Sequence, residues 1–190
     1  LVVGGYNAQQ GWLADAELYD PLLNTWAVVP PLYSHGVQHS ATLLADGSVL
    51  VTGGCIASGV CSDRAERFDP QANTWSEAAP LPTDLGSHAA ALLDDGRVLV
   101  AGGAGSAGPA GGRTSYLYDP PTNTWSASGP VVTGRVQAPL IKLLDGRVLF
   151  VGGISVSDNP NVLSSAEIYN PASNSWTEAA GLAQPRYGHA

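Results

Sequence analysis

Hydrophobic and polar positions repeat one short pattern four times along the chain. An apolar run ends in a glycine pair at Gly4-Gly5, Gly53-Gly54, Gly102-Gly103 and Gly152-Gly153, in steps of 49, 49 and 50 residues. A turn follows at Asp20-Pro21, Asp69-Pro70, Asp119-Pro120 and Asn170-Pro171, and six residues beyond each Asp or Asn stands a tryptophan: Trp26, Trp75, Trp125 and Trp176. From each of the first three tryptophans to the next glycine pair is 27 residues, while the stretch from glycine pair to turn runs 15, 15, 16 and 17. A constant frame with one elastic loop is the mark of a repeat architecture, in which each unit buries its faces against its neighbours.

The second unit shows what one repeat builds. His39 to Leu44 reads as a short strand running into Asp46-Gly47, a hairpin signal because Gly adopts positive φ without steric cost. Ser48 to Gly54 has a continuous apolar centre, as expected of a strand covered on both faces. After the elastic loop, Asp63 to Asp69 alternates like a third strand, and Asn73 to Ala78 carries the tryptophan on a fourth. Between these two, Pro presets φ near −65° and Asn tolerates the left-handed position. With 23 Gly and 14 Pro, no stretch keeps a 3.6-residue apolar period long enough for a stable helix. Four short antiparallel strands repeated radially predict an all-β chain of β-propeller blades, a plan that protects sheet edges.

The run LLxDGxVLVxGG followed by [AS]ExYDPxxNTW resembles the kelch repeat, over essentially the whole chain. Its wording in LLDDGRVLVAGG and LLDGRVLFVGG is similar to kelch arrays of bacterial extracellular proteins and of galactose-oxidase-like propellers. The resemblance implies a kelch-type β-propeller of four ~50-residue repeats. It says little about function, because propellers host binding modules and enzymes alike. The chain reads as one propeller region over 1–190, with units near 1–38, 39–87, 88–137 and 138–188 and the start of a further inner strand at 189–190. Ala190 falls at the register of Ser40 and Leu1 at that of Leu50, so the registers of Ala41 to Val49 have no fifth counterpart. The expectation is part of a larger propeller, or one completed by a further chain. A four-bladed ring with one incomplete blade is the alternative.

Charge narrows the function classes. Hydrophobic residues make up 44% of the chain, ample for a core, and the net charge is −8 with one lysine, Lys142. No basic stripe is available to neutralise phosphates, which argues against nucleic acid as a partner. No apolar run approaches the ~20 residues of a membrane span. Cys55 and Cys61 share the elastic loop of one unit, and a loop-stapling disulfide is the favoured reading over two unrelated thiols or a metal site. A disulfide points to a secreted, periplasmic or cell-surface location.

Repetition separates scaffold from candidate site. A residue at one register of every unit serves the blade, because a catalytic site needs different groups converging on one point. The tryptophans, glycine pairs and Asp-Gly turns are therefore structural. Glu17, Glu66 and Glu167 share a register, with Tyr116 in the third unit, and are expected to make repeated hydrogen bonds or ion pairs. His39, His88 and His189 follow each Trp by 13 residues, with Ala138 in the third unit. They read as strand caps, or alternatively as a copper or zinc cluster at the channel mouth. Arg135 and Arg186 share a register with Gly36 and Leu85, and two arginines there suit carboxylate binding or solvated ion pairs.

Galactose-oxidase-like copper enzymes place a Tyr next to a His and crosslink another Tyr to a Cys. Tyr187 is separated from His189 by Gly188 and the cysteines fall together, so no catalytic residue, metal ligand or cofactor is assigned. The singular residues are the binding candidates: Tyr6 and Trp12 in the first elastic loop, Arg113 in the third, Tyr33 and His35 between units, with Arg135, Arg186 and Tyr187. Exposed aromatics on a rigid scaffold suit protein contact or sugar stacking, and the alternative for Trp12 is packing on its own loop. The expected function is a non-catalytic scaffold presenting loops to a protein partner. A copper-radical oxidase with its site outside this segment, or a carbohydrate-binding propeller, are the alternatives.

Overall fold

The apolar runs before the glycine pairs become the second strand of each sheet. The computed structural model describes residues 1–33, 36–56, 59–105, 112–156 and 161–189. The first blade comprises β1 (Val2–Val3), a small hairpin of β2 (Tyr6–Asn7) and β3 (Gly11–Trp12), then β4 (Ala16–Asp20) and β5 (Thr25–Val29). The second comprises β6 (Ser40–Leu43), β7 (Val49–Thr52), β8 (Ala65–Asp69) and β9 (Thr74–Ala78). The third comprises β10 (Gly86–Leu92), β11 (Val98–Ala104), β12 (Ser115–Asp119) and β13 (Thr124–Ala127). The last has β14 (Arg135–Val136), β15 (Leu140–Lys142), β16 (Val148–Val151), β17 (Ile154–Ser155), β18 (Ala166–Asn170) and β19 (Ser175–Ala179).

The sheets are antiparallel meanders, ordered β6-β7-β8-β9, β10-β11-β12-β13 and β15-β16-β18-β19. The first sheet, β1-β4-β5, has three strands among the described residues. This is the kelch β-propeller arrangement, and the described residues contain no α-helix. Among the described residues, two of the elastic loops carry strand pairing of their own. One folds as the β2–β3 hairpin, and in the last blade β17 pairs with β14.

Each Asp-Pro turn is locked by local polar chemistry. Asp20 Oδ1 accepts the amides of Leu22 and Leu23, and Asp69 Oδ1 those of Gln71 and Ala72. Asn24, Asn73, Asn123 and Asn174 then take φ of 50–53°, the left-handed position that Asn tolerates best after Gly. Across the turn each Trp meets an aromatic partner: Tyr19–Trp26, Phe68–Trp75, Tyr118–Trp125 and Tyr169–Trp176, with centroids 5.0–5.2 Å apart. Such pairs contribute about 0.5–1.5 kcal/mol beyond the area they bury.

The core is divided among the interfaces between neighbouring sheets. Ala16, Val29 and Leu32 of the first blade pack on Val51, Phe68 and Trp75 of the second. The second and third meet through Leu50, Leu81, Leu85, Val98 and Tyr118, and the third and fourth through Leu99, Leu117, Phe150, Tyr169 and Trp176. Indole nitrogens cross these boundaries: Trp75 Nε1 donates to Pro30 O and Trp125 Nε1 to Ala79 O, both at 2.7 Å.

The first glycine of each pair has two reasons to be glycine. Gly4, Gly53, Gly102 and Gly152 all have φ between 61 and 71°. A Cβ on Gly4, Gly53 or Gly152 would also lie 2.7–2.9 Å from Cε1 of His39, His88 or His189. The shared histidines are thus wedges between blades. His88 is buried, and its Nε2 lies 3.1 Å from Ser40 Oγ and 3.0 Å from Thr52 Oγ1. Burial, with a smaller contribution from His39, lowers its pKa to about 4, so the ring is neutral at physiological pH.

Candidate functional site

One face of the molecule is built where elastic loops meet the connections between blades. Within the first unit, Gly5 N donates to Gly36 O and Gly36 N to Leu13 O. Gly54 N and Leu85 N bond to Leu85 O and Ser62 O, and Gly153 N and Arg186 N to Arg186 O and Leu163 O. The next blade joins in as well: Val37 and Cys55 exchange both main-chain bonds, as Arg135–Val136 pairs with Ile154–Ser155. Loops and connections therefore form one stitched surface.

The aromatic candidates sit on it. Tyr6 and Tyr33 are about two-thirds exposed and Tyr187 half exposed. Tyr6 packs on Trp12 across the β2–β3 hairpin at 5.0 Å, so Trp12 is half-buried on its own loop. Arg113 is exposed, but its Nε donates to Val131 O at 2.8 Å, fixing the third loop to the connection beneath it. Arg186 is exposed beside Tyr187. His35 lies outside the described residues. Cys55 and Cys61 are joined, as their shared loop suggested, and the bridge rests against the next blade: a Cβ on Gly86 would lie 2.0 Å from Cys55 Sγ.

Arg135 has a different environment from Arg186. It is fully buried, with Nη1 donating to Gly152 O at 2.9 Å and Ser165 O at 2.8 Å, and Nη2 to Ser165 Oγ at 3.2 Å and Glu167 Oε1 at 2.5 Å. Its guanidinium lies 5.1 Å from the Phe150 ring centre. Glu167, equally buried, also accepts the amides of Val132 and Thr133. The repeated glutamate thus clasps the incoming connection, and Glu66 does the same for the amide of Tyr33 at 2.8 Å.

A cleft of about 380 Å³ opens on this face at the second blade. It is lined by Leu32, Tyr33, Gly36, His39, Val51, Gly53 and Gly54, and from the elastic loop by Ile56, Val60, Cys61, Ser62, Asp63 and Arg64. Burial lowers the pKa of His39, partly offset by a hydrogen bond to the Val3 backbone. The sequence marks Tyr33 as a binding candidate, His39 as a strand cap or metal ligand and Cys61 as a disulfide partner, and does not show that they line one cleft. The one available signal was Gly36 standing at the register of Arg135 and Arg186.

Among the described residues, no group of three or more His, Cys, Asp or Glu side chains is arranged to hold a metal ion. Nor do the described residues contain a helix long and apolar enough to cross a membrane.

Comparison with curated proteins returns no match. A family profile, the kelch motif, matches residues 1–33, 39–82 and 143–183. The unmatched third unit keeps the same strand order and the same Tyr118–Trp125 pair as its neighbours. With more than half of its length matched in three stretches that share one frame, this chain belongs to the kelch motif family.

Proposed function

We propose that the chain is a non-catalytic binding scaffold whose stitched loop face receives a protein partner. Kelch repeats generally mediate protein–protein interaction. The observation that carries the finer reading is the placement of Tyr6, Tyr33 and Tyr187, each more than half exposed, on loops fixed to one another by main-chain hydrogen bonds. Rigid aromatics lose little conformational entropy on contact and are enriched among residues that dominate interface energies. The stapled loop favours a protein that works outside the cytoplasm, where disulfides persist.

The test is affinity capture followed by crosslinking and mass spectrometry, using the wild type, a Tyr6→Ala/Tyr33→Ala/Tyr187→Ala variant and a variant of the opposite, Asp-Gly-turn end such as Asp95→Asn. A partner retained by the turn-end variant, lost with the triple variant and crosslinked to these loops is the expected result. A partner equally held by all three proteins would refute the assignment. Binding of the same face on a glycan array, with no protein captured, would make it a carbohydrate-binding propeller instead.

A further inference from the structure

The first blade leaves open a face that each later blade packs against its predecessor. Val2, Tyr19 and Trp26 are 40–56% exposed, and Glu17 is exposed beside them. Frame alignment gives their counterparts in the second blade as Val51, Phe68, Trp75 and Glu66, each at most 8% exposed. In the fourth blade Phe150, Tyr169, Trp176 and Glu167 are buried in the same way. There the cover is the trailing side of the third blade, with Leu99, Leu117 and Val131 in one core with the three aromatics. The fourth blade's own trailing side is uncovered. Leu149, Ile168 and Leu182 stand at the registers of Leu99, Leu117 and Val131 but are only half-buried, where those three are at most 2% exposed.

The polar groups of the two open sides also match. Arg135 enters the fourth blade onto Glu167, whereas Leu85 enters the third, which has Tyr116 at the glutamate register. The other arginine at this register is Arg186, exposed on the connection that leaves the fourth blade. The exposed Glu17 stands at the register of Glu167.

We propose that the open face of the first blade receives the fourth unit of a second copy of this chain, head to tail. Glu17 then accepts the Arg186 guanidinium and the amides of Ala183 and Gln184, as Glu167 accepts Arg135 and the amides of Val132 and Thr133. Trp26 Nε1 donates to Ala180 O, the register mate of the Pro30 and Ala79 carbonyls that take the indole hydrogens of Trp75 and Trp125. Leu149, Ile168 and Leu182 close over Tyr19 and Trp26, aromatics of the kind that dominate interface energies. Three interfaces within one chain already use this packing, so a second copy continues a contact that the repeat has built. The contact is heterologous, joining two different patches, so it closes into a ring or runs on from copy to copy. It lies on sheet faces rather than on the loop face that carries Tyr6 and Tyr33, and is independent of the scaffold reading above.

The experiment uses the chain alone. Sedimentation equilibrium from micromolar to millimolar concentration should show the mass rising from 19.5 kDa to at least twice that value. Trp26→Ala, Glu17→Gln and Arg186→Gln change exposed positions that the single chain does not need for folding, and each should weaken association at least tenfold. Combining Glu17→Gln with Arg186→Gln should cost no more than about threefold beyond either alone, the non-additivity of two groups that meet. A wild type that keeps one chain mass throughout overturns the proposal, as does association that survives Trp26→Ala. Loss with Trp26→Ala but not with Arg186→Gln would mean that two first blades pack face to face, and overturns the head-to-tail pairing. Tyr6→Ala/Tyr33→Ala should leave self-association unchanged; its loss would move the contact to the loop face and overturn the assignment. The two proposals fail separately. A chain that stays monomeric leaves partner capture by the tyrosine face intact, and a chain that pairs as described does so whether or not that face captures a partner.

Discussion

Phe150 closes over Gly102: a Cβ on that glycine would lie 2.8 Å from the Phe150 Cζ atom. The ring takes the place that a histidine takes over Gly4, Gly53 and Gly152, and the position that holds histidine in the other units is Ala138. The chain therefore solves one packing problem in two ways, with a polar wedge that can take up a proton and an apolar wedge that cannot.

That difference gives a pH dependence. The His88 pKa is lowered from 6.5 to about 4 by burial, so as pH falls the unfolded chain takes up the proton first. The stabilisation is complete above pH 6.5 and is lost as pH falls towards 4, reaching about 3 kcal/mol. Urea unfolding of the wild type and of His88→Gln across this range should show the gap between them shrinking as pH falls. A gap that stays constant from pH 7 to 4 would mean that His88 titrates normally.

The tryptophans should differ sharply although they share a register. Trp75 is 8% exposed and bonded to Pro30, whereas Trp26 is 54% exposed. Trp75→Ala is expected to cost about 3–5 kcal/mol and Trp26→Ala under about 1 kcal/mol. Denaturant midpoints measure both, and equal losses would contradict the burial described.

Breaking the Arg135–Glu167 pair on one side leaves a charge stranded in the interior. Arg135→Leu should destabilise by about 3–5 kcal/mol. Adding Glu167→Gln should recover part of that loss, because the carboxamide still accepts the Val132 or Thr133 amide and carries no charge. A double variant less stable than the single one would show that the cost arises from lost packing alone.

The staple makes a redox-dependent prediction. In the oxidised protein Gly86 faces the sulfur atoms directly, so Gly86→Ala should lower the melting temperature more in the oxidised than in the reduced protein. Thiol titration of the unfolded, unreduced wild type should find no free thiol. Equal penalties in both redox states would show that the bridge moves aside at no cost.

Most of the fold was legible because it repeats. The glycine pairs, the Asp-Pro turns and the left-handed asparagines are local signals, each set by φ or by a side chain reaching its own backbone, and four copies removed ambiguity. The pairing of Cys55 with Cys61 was legible for the same reason, since both lie in one loop. What escaped was compensation between blades. That Phe150 answers Ala138, that Arg135 turns inward onto Glu167, or that Gly36 leaves a cleft depends on which side chains meet across a boundary. Periodicity reports what is common to the units and is silent where they diverge. The histidines show this well: the register was plain, but their role as wedges over glycine required the neighbouring blade.

The main-chain stitching of the loop face has a consequence for how this surface can change over time. The pairing of Val37 with Cys55, and of Gly54 with Leu85, engages backbone groups that every residue except proline supplies in full. Outside the few positions that demand glycine, the outward side chains of this face carry little of the folding energy. They are open to drift and selection, so the same four sheets can be re-addressed to a new partner without being rebuilt.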